Sequence, residues 1–191
     1  VKAAQLDLER TLLEAGALLE GHFALSSGRH SDRFIQKFRI LEDPSLLDSP
    51  ARAIAEHFRP LRPSVVVSAA VGGILLGYEV ARHLGTTAIF TEKVNGVPTL
   101  RRGFTLTASD RALVVEDVIT TGLSVRETLD VVLSLGARVI GVGAMVIREA
   151  ATLPVPVYAL LEMPLRSYPS HDCPRCAAGE PLTDPGSRRV G

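Results

Sequence analysis

Only two of the 191 residues are cysteines, Cys173 and Cys176, too few for a disulfide framework. An excess of charge is also missing: 21 Lys and Arg balance 21 Asp and Glu. The chain therefore has no global basic field to draw it onto nucleic acid, although a small anion needs only local charge. Long apolar runs are absent too. The longest uncharged stretch, 63–78, is interrupted by Gly72 and Gly73 and falls short of the roughly 18 to 20 residues of a spanning helix. The first residues, VKAAQLDLER, have no apolar signal core, so a cytoplasmic protein without membrane attachment is expected. Neither GxxxxGK[ST] nor GxGxxG after the first strand occurs, which removes the main support for a nucleotide triphosphatase or a dinucleotide enzyme. No repeat or low-complexity tract is found, only a tail richer in Pro and Gly after about Pro164.

What is present is a globular pattern. Hydrophobic residues make up 46% of the chain, and its length suits one domain with a full core. Leu6, Leu8, Leu12, Leu13, Leu18 and Leu19 recur at roughly helical spacing, predicting a helix over 7–20 with Gly21 as its stop. Residues 23–40 read as a loop leading into a short strand, and 45–58 as a second helix ended by Pro60 and Pro63. From there β-branched runs alternate with helical patterns. SVVVSAA, TTAIFT, ALVVE, ARVIGVGAMVI and VYALLEM read as strands, and ILLGYEVARHLG and SVRETLDVVLSLG as helices. Continuously apolar strands alternating with helices imply an α/β doubly wound core, a mostly parallel sheet with helices on both faces.

In such sheets ligands collect at the carboxyl ends of the strands. There the sequence places VVEDVITTGLS, residues 114–124. Thr120, Thr121, Gly122 and Ser124, directly before a helix, offer hydroxyls, backbone N–H groups and the positive end of a helix dipole, a combination suited to phosphate. Glu116 and Asp117 would repel a phosphate they touched, so their natural partner is a neutral polyol such as a ribose diol. The competing reading is that Asp117 or Thr120 caps the helix.

VVEDVITTG resembles the phosphoribosyl diphosphate (PRPP) signature of type I phosphoribosyltransferases. FALSSGRHSDRF (23–34), LRRGF (100–104) and Arg148 at the end of a late strand narrow the resemblance to the orotate phosphoribosyltransferase family, over about residues 10–165. It implies the type I phosphoribosyltransferase fold as one domain over 1–191. An N-terminal helix and hood would occupy about 1–40, an α/β core about 45–162, and a tail about 164–191, with late residues adding to the hood. The implied reaction is Mg²⁺-dependent transfer of ribose 5-phosphate from PRPP to orotate, giving orotidine 5′-monophosphate and pyrophosphate in pyrimidine synthesis.

The resemblance also implies roles. Glu116 and Asp117 hold the ribose hydroxyls, and the PRPP stretch runs on through Val118, Ile119, Thr120, Thr121, Gly122, Leu123 and Ser124, with Thr120–Ser124 on the 5′-phosphate. Ala69, Ala70, Val71, Gly72 and Gly73 occupy the pyrophosphate loop, although a glycine pair after a strand is also an ordinary tight turn. Thr120, Arg148, Phe34 and Ser26 match orotate-contacting positions. Ser26 replaces a Lys found in some relatives, so a cation contact is lost there. Arg148 read without the family is a strand-end surface charge. Residues 92–103, EKVNGVPTLRRG, match the mobile catalytic loop, which in this family reaches the neighbouring subunit and so implies a homodimer. Many relatives have a longer loop carrying a His. Here Lys93 is the candidate catalytic cation beside Asp117, a solvated hairpin charge being the alternative, and Arg101 and Arg102 fit structural roles at the loop's return. A purine phosphoribosyltransferase, or a PRPP-binding regulator without catalysis, would share the opening motif. No nucleic-acid or membrane partner is expected. Finally, HDCPRCAAGE (171–180) sets Cys173 and Cys176 at C-x-x-C spacing near His171. Half of a zinc site completed across a dimer is one reading; the preferred one is a pair of reduced thiols, with no metal ligand assigned.

Overall fold

The computed structural model describes residues 2–25, 27–148, 152–164 and 166–185. Helix α1 (Lys2–Glu14) leads into the antiparallel strands β1 (Leu18–Ala24) and β2 (His30–Ile35). Helices α2 (Phe38–Leu41) and α3 (Pro44–Phe58) follow. Next come β3 (Val65–Ala69), α4 (Gly72–Leu84), β4 (Thr87–Val94) and β5 (Val97–Leu100). Strand β6 (Arg111–Ile119), α5 (Leu123–Ser134), β7 (Arg138–Ile147) and β8 (Val157–Glu162) continue the alternation. A two-residue β9 (Ser167–Tyr168) and a short α6 (Pro174–Ala177) complete it.

The larger sheet has the order β5-β4-β3-β6-β7-β8 and is parallel except for the edge strand β5. It is the α/β doubly wound architecture that the apolar runs imply, because both faces are covered. Val66, Leu113, Val115 and Met145 pack with Ile54 and Phe58 of α3 and Leu76 and Val80 of α4. Val114 and Val142 lie with Val125 and Leu129 of α5 on the other face. Successive strand residues point to opposite faces, so a strand buried on both sides must be apolar at every position, as Leu113, Val114 and Val115 are. A second sheet, β1-β2-β9, forms the hood, and β9 brings late residues into it.

Four local expectations are corrected. The first helix ends at Glu14, and Leu18 and Leu19 belong to β1. The physical cause is Gly16, whose φ of 63° turns the chain left-handed while the Gly16 amide bonds Leu13 O and the Ala17 amide bonds Leu12 O, a Schellman closure. Residues 23–40 hold parts of two strands and a helix rather than one loop and strand. The stretch 92–103 is not irregular: β4 extends to Val94, pairs with β5 through an Asn95-Gly96 turn, and only 101–103 return as a turn. The strand bearing the acids runs past them to Ile119. No helix among the described residues is long and apolar enough to cross a membrane.

Candidate functional site

Adjacent β3 and β6 send their connections in opposite directions, β3 through α4 to β4 and β6 through α5 to β7. This is the topological switch point where open α/β sheets bind ligands. The turn after β3 (70–71) and the turn after β6 (120–122) therefore open side by side.

At the end of β6 two carboxyls are buried, Glu116 at 8% exposure and Asp117 at 1%. Asp117 is anchored by two groups. The Val118 amide donates to Oδ1 at 2.6 Å, and Lys37 Nζ lies 3.0 Å from Oδ1 and 2.8 Å from Oδ2. Lys37 arrives from just past β2, eighty positions earlier, and sequence reasoning missed it because no motif marks it. Glu116 accepts from the Asp117 amide through Oε1 at 3.2 Å. Burial first, and the neighbouring Asp117 charge second, push its pKa up from 4.5 to about 8, against the opposing pull of Lys37. Near neutrality Glu116 thus favours the protonated form, which can donate a hydrogen bond as well as accept one.

The raised value has a consequence for stability. Between about pH 4.5 and about 8 the folded protein holds a proton on Glu116 that the unfolded chain releases. Its contribution is thus fully present below the window and lost as pH rises through it. Melting temperature measured against pH for the unliganded protein and for Glu116→Gln is expected to show the wild type losing ground across this window. Parallel curves would show that Glu116 is ionised throughout.

The turn after β6 reaches α5 through Gly122, whose φ of 76° sets the chain into the helix, and this N-cap residue makes no side-chain capping bond. Neither Asp117 nor Thr120 plays that role, so the capping alternative is set aside. Thr120, Thr121, Leu123 and Ser124 are exposed around a small concavity that Glu116, Val118 and Ile119 help to line. The Leu123 amide leans on Thr121 Oγ1 at 3.4 Å. Arg126 braces the turn from within α5 by donating to Thr121 O at 2.5 Å. Ile119 itself is 1% exposed and packs with Val125 and Leu129, so at that position the backbone faces the concavity and the side chain belongs to the core. An uncapped helix N-terminus edged by hydroxyls is an anion site.

The turn after β3 closes against the same acids. A Cβ built on Gly72 would lie 2.0 Å from Asp117 Oδ2 and 2.7 Å from Lys37 Nζ. Only a residue without a side chain lets the start of α4 approach that closely. Gly73 is less tight, its nearest contact being Ser68 Cβ at 3.2 Å. The Ala70 amide donates to Thr91 O at 2.8 Å, tying the turn to β4, and Ala70 and Val71 are exposed while Ala69 is half-buried.

The other expected residues fall as follows. The Arg148 amide donates to Ile119 O at 2.8 Å, and Ile147 pairs with Ile119 across the sheet, so Arg148 and Thr120 leave neighbouring strands side by side. Phe34 lies on β2, its ring centroid 5.8 Å from that of Phe23, three residues before Lys37. Ser26 lies outside the described residues. Lys93 is on β4 and ion-pairs with Glu127 of α5 at 2.8 Å. Thr91, two positions earlier on the same face, meets Thr128 at 3.3 Å. Arg102 makes two hydrogen bonds to the Glu92 carboxylate, both at 3.1 Å, with Arg101 at 3.9 Å, so both arginines brace the base of the hairpin.

A family model for the phosphoribosyl transferase domain matches residues 39–164. The orotate phosphoribosyltransferase of Pelotomaculum thermopropionicum is 47% identical over 179 residues, covering 93% of this chain and 94% of that protein. Among solved structures, the orotate phosphoribosyltransferase of Aeropyrum pernix superimposes with a TM-score of 0.70 at 26% identity, over 81% of this chain and 93% of the other. The adenine phosphoribosyltransferase of Saccharomyces cerevisiae reaches 0.67 at 18% identity, over 84% and 100%. Backbone similarity alone thus does not separate the acceptor bases; the sequence identity does.

Proposed function

The chain belongs to the orotate phosphoribosyltransferases, within the phosphoribosyl transferase domain family, and on that basis we propose that it transfers ribose 5-phosphate from PRPP to orotate. The products are orotidine 5′-monophosphate and pyrophosphate, in pyrimidine synthesis, and the cytoplasm is the compartment this reading assigns. The observation that carries the assignment of the site is the convergence of the two switch-point turns on Asp117, beside the uncapped N-terminus of α5.

In this reading Thr120–Ser124 cradle the 5′-phosphate through backbone amides and hydroxyls, and Glu116 and Asp117 take the ribose hydroxyls. Residues 69–73 face the pyrophosphate. Thr120 and Arg148 present orotate, Arg148 offering a planar fork to a carboxylate or carbonyl edge, while Phe34, Ser27 and Gly28 of the hood cover the base. The ring nitrogen of orotate is the nucleophile, so no protein group need form a covalent bond. The chain's task is to align donor and acceptor, exclude water from the sugar and offset the charge gathering on the departing pyrophosphate. Oxygen donors suited to Mg²⁺ meet here, the buried Asp117 carboxylate and the exposed Thr120 and Thr121 hydroxyls. Asp117, with ribose and diphosphate oxygens, would hold the ion, which would supply charge neutralisation on the leaving group.

Lys93 is the proposed mobile cation. Its bond to Glu127 is solvent-exposed and worth under about 1 kcal/mol, so exchanging it for a pyrophosphate oxygen costs little. Two features support a homodimer. The hairpin carrying Lys93 projects at the sheet edge, and Val71, Leu75 and Tyr78 form an exposed apolar stripe at helical spacing at the start of α4. Lys93→Ala is expected to lower kcat/KM by about 10²-fold, with thermal stability unchanged. If the hairpin serves the neighbouring subunit, mixing Lys93→Ala with Asp117→Asn restores about a quarter of wild-type activity, since half the dimers are mixed and each has one intact site. Unchanged turnover in Lys93→Ala alone removes that residue from catalysis.

The reaction itself is tested by following orotate absorbance with PRPP and Mg²⁺, with adenine and hypoxanthine as rival acceptors. Turnover of orotate alone is expected. Turnover of a purine alone, or tight binding of pyrimidine-operon RNA with no orotate turnover, overturns the assignment.

A further inference from the structure

The cysteine pair is not isolated in the fold. Chain 167–183 clasps the hood from both edges: β9 pairs with β2, and Thr183 bridges Phe23 of β1, its amide donating to His22 O at 2.8 Å. Between those two attachments, Cys173 and Cys176 are laid against His22 and His30, and one ligand atom from each of the four falls within 4.8 Å of all the others. His171, the neighbour in sequence, is not among them. From this convergence we propose that His22, His30, Cys173 and Cys176 form a tetrahedral Zn²⁺ site within one chain.

The separations are those the ion requires. With Zn–N of about 2.05 Å and Zn–S of about 2.3 Å, a tetrahedron sets ligand nitrogens about 3.3 Å apart and nitrogen from sulfur about 3.5 Å apart. In the structure His22 Nε2 and His30 Nδ1 are 3.1 Å apart. Cys173 Sγ is 3.4 Å from His22 Nε2, and Cys176 Sγ is 3.6 Å from His22 Nε2 and 3.3 Å from His30 Nδ1.

The outer contacts agree. His22 Nδ1 lies 2.9 Å from the Glu180 carbonyl oxygen, which can only accept, so Nδ1 carries the proton and Nε2 turns its lone pair toward the centre. A carbonyl orienting a ligand histidine is the usual outer partner of zinc. Three further groups crowd that one lone pair, more than hydrogen bonding alone satisfies. His22, His30 and Cys173 are buried, and two thiolates with two neutral imidazoles balance the ion's two charges, so no net charge is left in the low-dielectric interior. Binding releases two thiol protons. All four coordination positions are filled by protein, so the site is structural. It pins the C-terminal segment to β1 and β2, the second of which carries Phe34.

Untagged protein expressed with trace metals is expected to contain about one zinc per chain by mass spectrometry of the metal. Exchange with Co²⁺ should give the visible absorption of a tetrahedral sulfur-ligated ion. Cys176→Ser, conservative and at an exposed position, should lose most of the zinc and the cobalt spectrum, with a lower melting temperature that added zinc no longer raises. His30→Asn should behave alike. Purified protein without zinc whose reduced form takes up neither Zn²⁺ nor Co²⁺ would overturn the site, as would full zinc retention in both variants. None of these readouts depends on orotate turnover.

Discussion

Asp117→Asn lowers kcat for orotidine 5′-monophosphate formation by about 10²- to 10³-fold, the loss typical of removing one charge-stabilising contact at a reacting centre. The carboxylate is 1% exposed and holds Lys37 and the Val118 amide at once. Asparagine keeps its shape but gives up the charge and one acceptor. The fold should survive at a cost of about 1–3 kcal/mol, because Lys37 is about one-third exposed and can turn to water. Lys37→Met provides the contrast. It strands the carboxylate without its cation, an error that costs about 3–5 kcal/mol in a buried pair, yet it leaves in place the acceptor proposed for the sugar. Asp117→Asn should therefore be the worse catalyst and Lys37→Met the less stable protein. Equal losses of kcat would reduce Asp117 to an anchor for Lys37.

Gly72→Ala damages stability and catalysis together. The added methyl would meet Asp117 Oδ2 at 2.0 Å and Lys37 Nζ at 2.7 Å, and the aspartate is 1% exposed and held by the Val118 amide and Lys37, so moving it aside breaks those contacts. The start of α4 must shift instead, carrying the proposed pyrophosphate turn with it. Overpacking of this kind costs about 1–3 kcal/mol, and a displacement of about 1 Å at a positioning element costs about 10²-fold in rate. Gly73→Ala, with its nearest neighbour at 3.2 Å, should be the milder variant by both calorimetry and steady-state kinetics. A reversed ranking would mean that the close approach of α4 to the acids is not what positions the site.

Much of the core was legible because its signals are local. The runs now seen as β3, β6, β7 and β8 are continuous in apolar character, and the C-cap Gly85, with φ of 72°, ends α4 where the pattern stops. Local reasoning failed where a tertiary partner overrode it. Leu18 and Leu19 continue a helical spacing, but Gly16 turns the chain and pairing with Ile35 and Phe34 draws them into a strand. The 92–103 stretch reads as a polar loop, yet ladder bonds between β4 and β5 and the Arg102–Glu92 contact order most of it.

The candidate site divides in the same way. Glu116 to Ser124 are contiguous, so a single strand-to-turn-to-helix unit places acids, hydroxyls and helix terminus together, and nine adjacent residues suffice to suggest a ribose phosphate. The sequence by itself determined that much, along with the layered α/β core. Only the tertiary structure decided that Lys37 sits on Asp117, that Gly72 must be a glycine, and that two histidines meet a cysteine pair about 150 positions away. Those juxtapositions follow from sheet order and strand register, which are set by how distant segments bury their apolar faces against one another. No short window of residues carries that information.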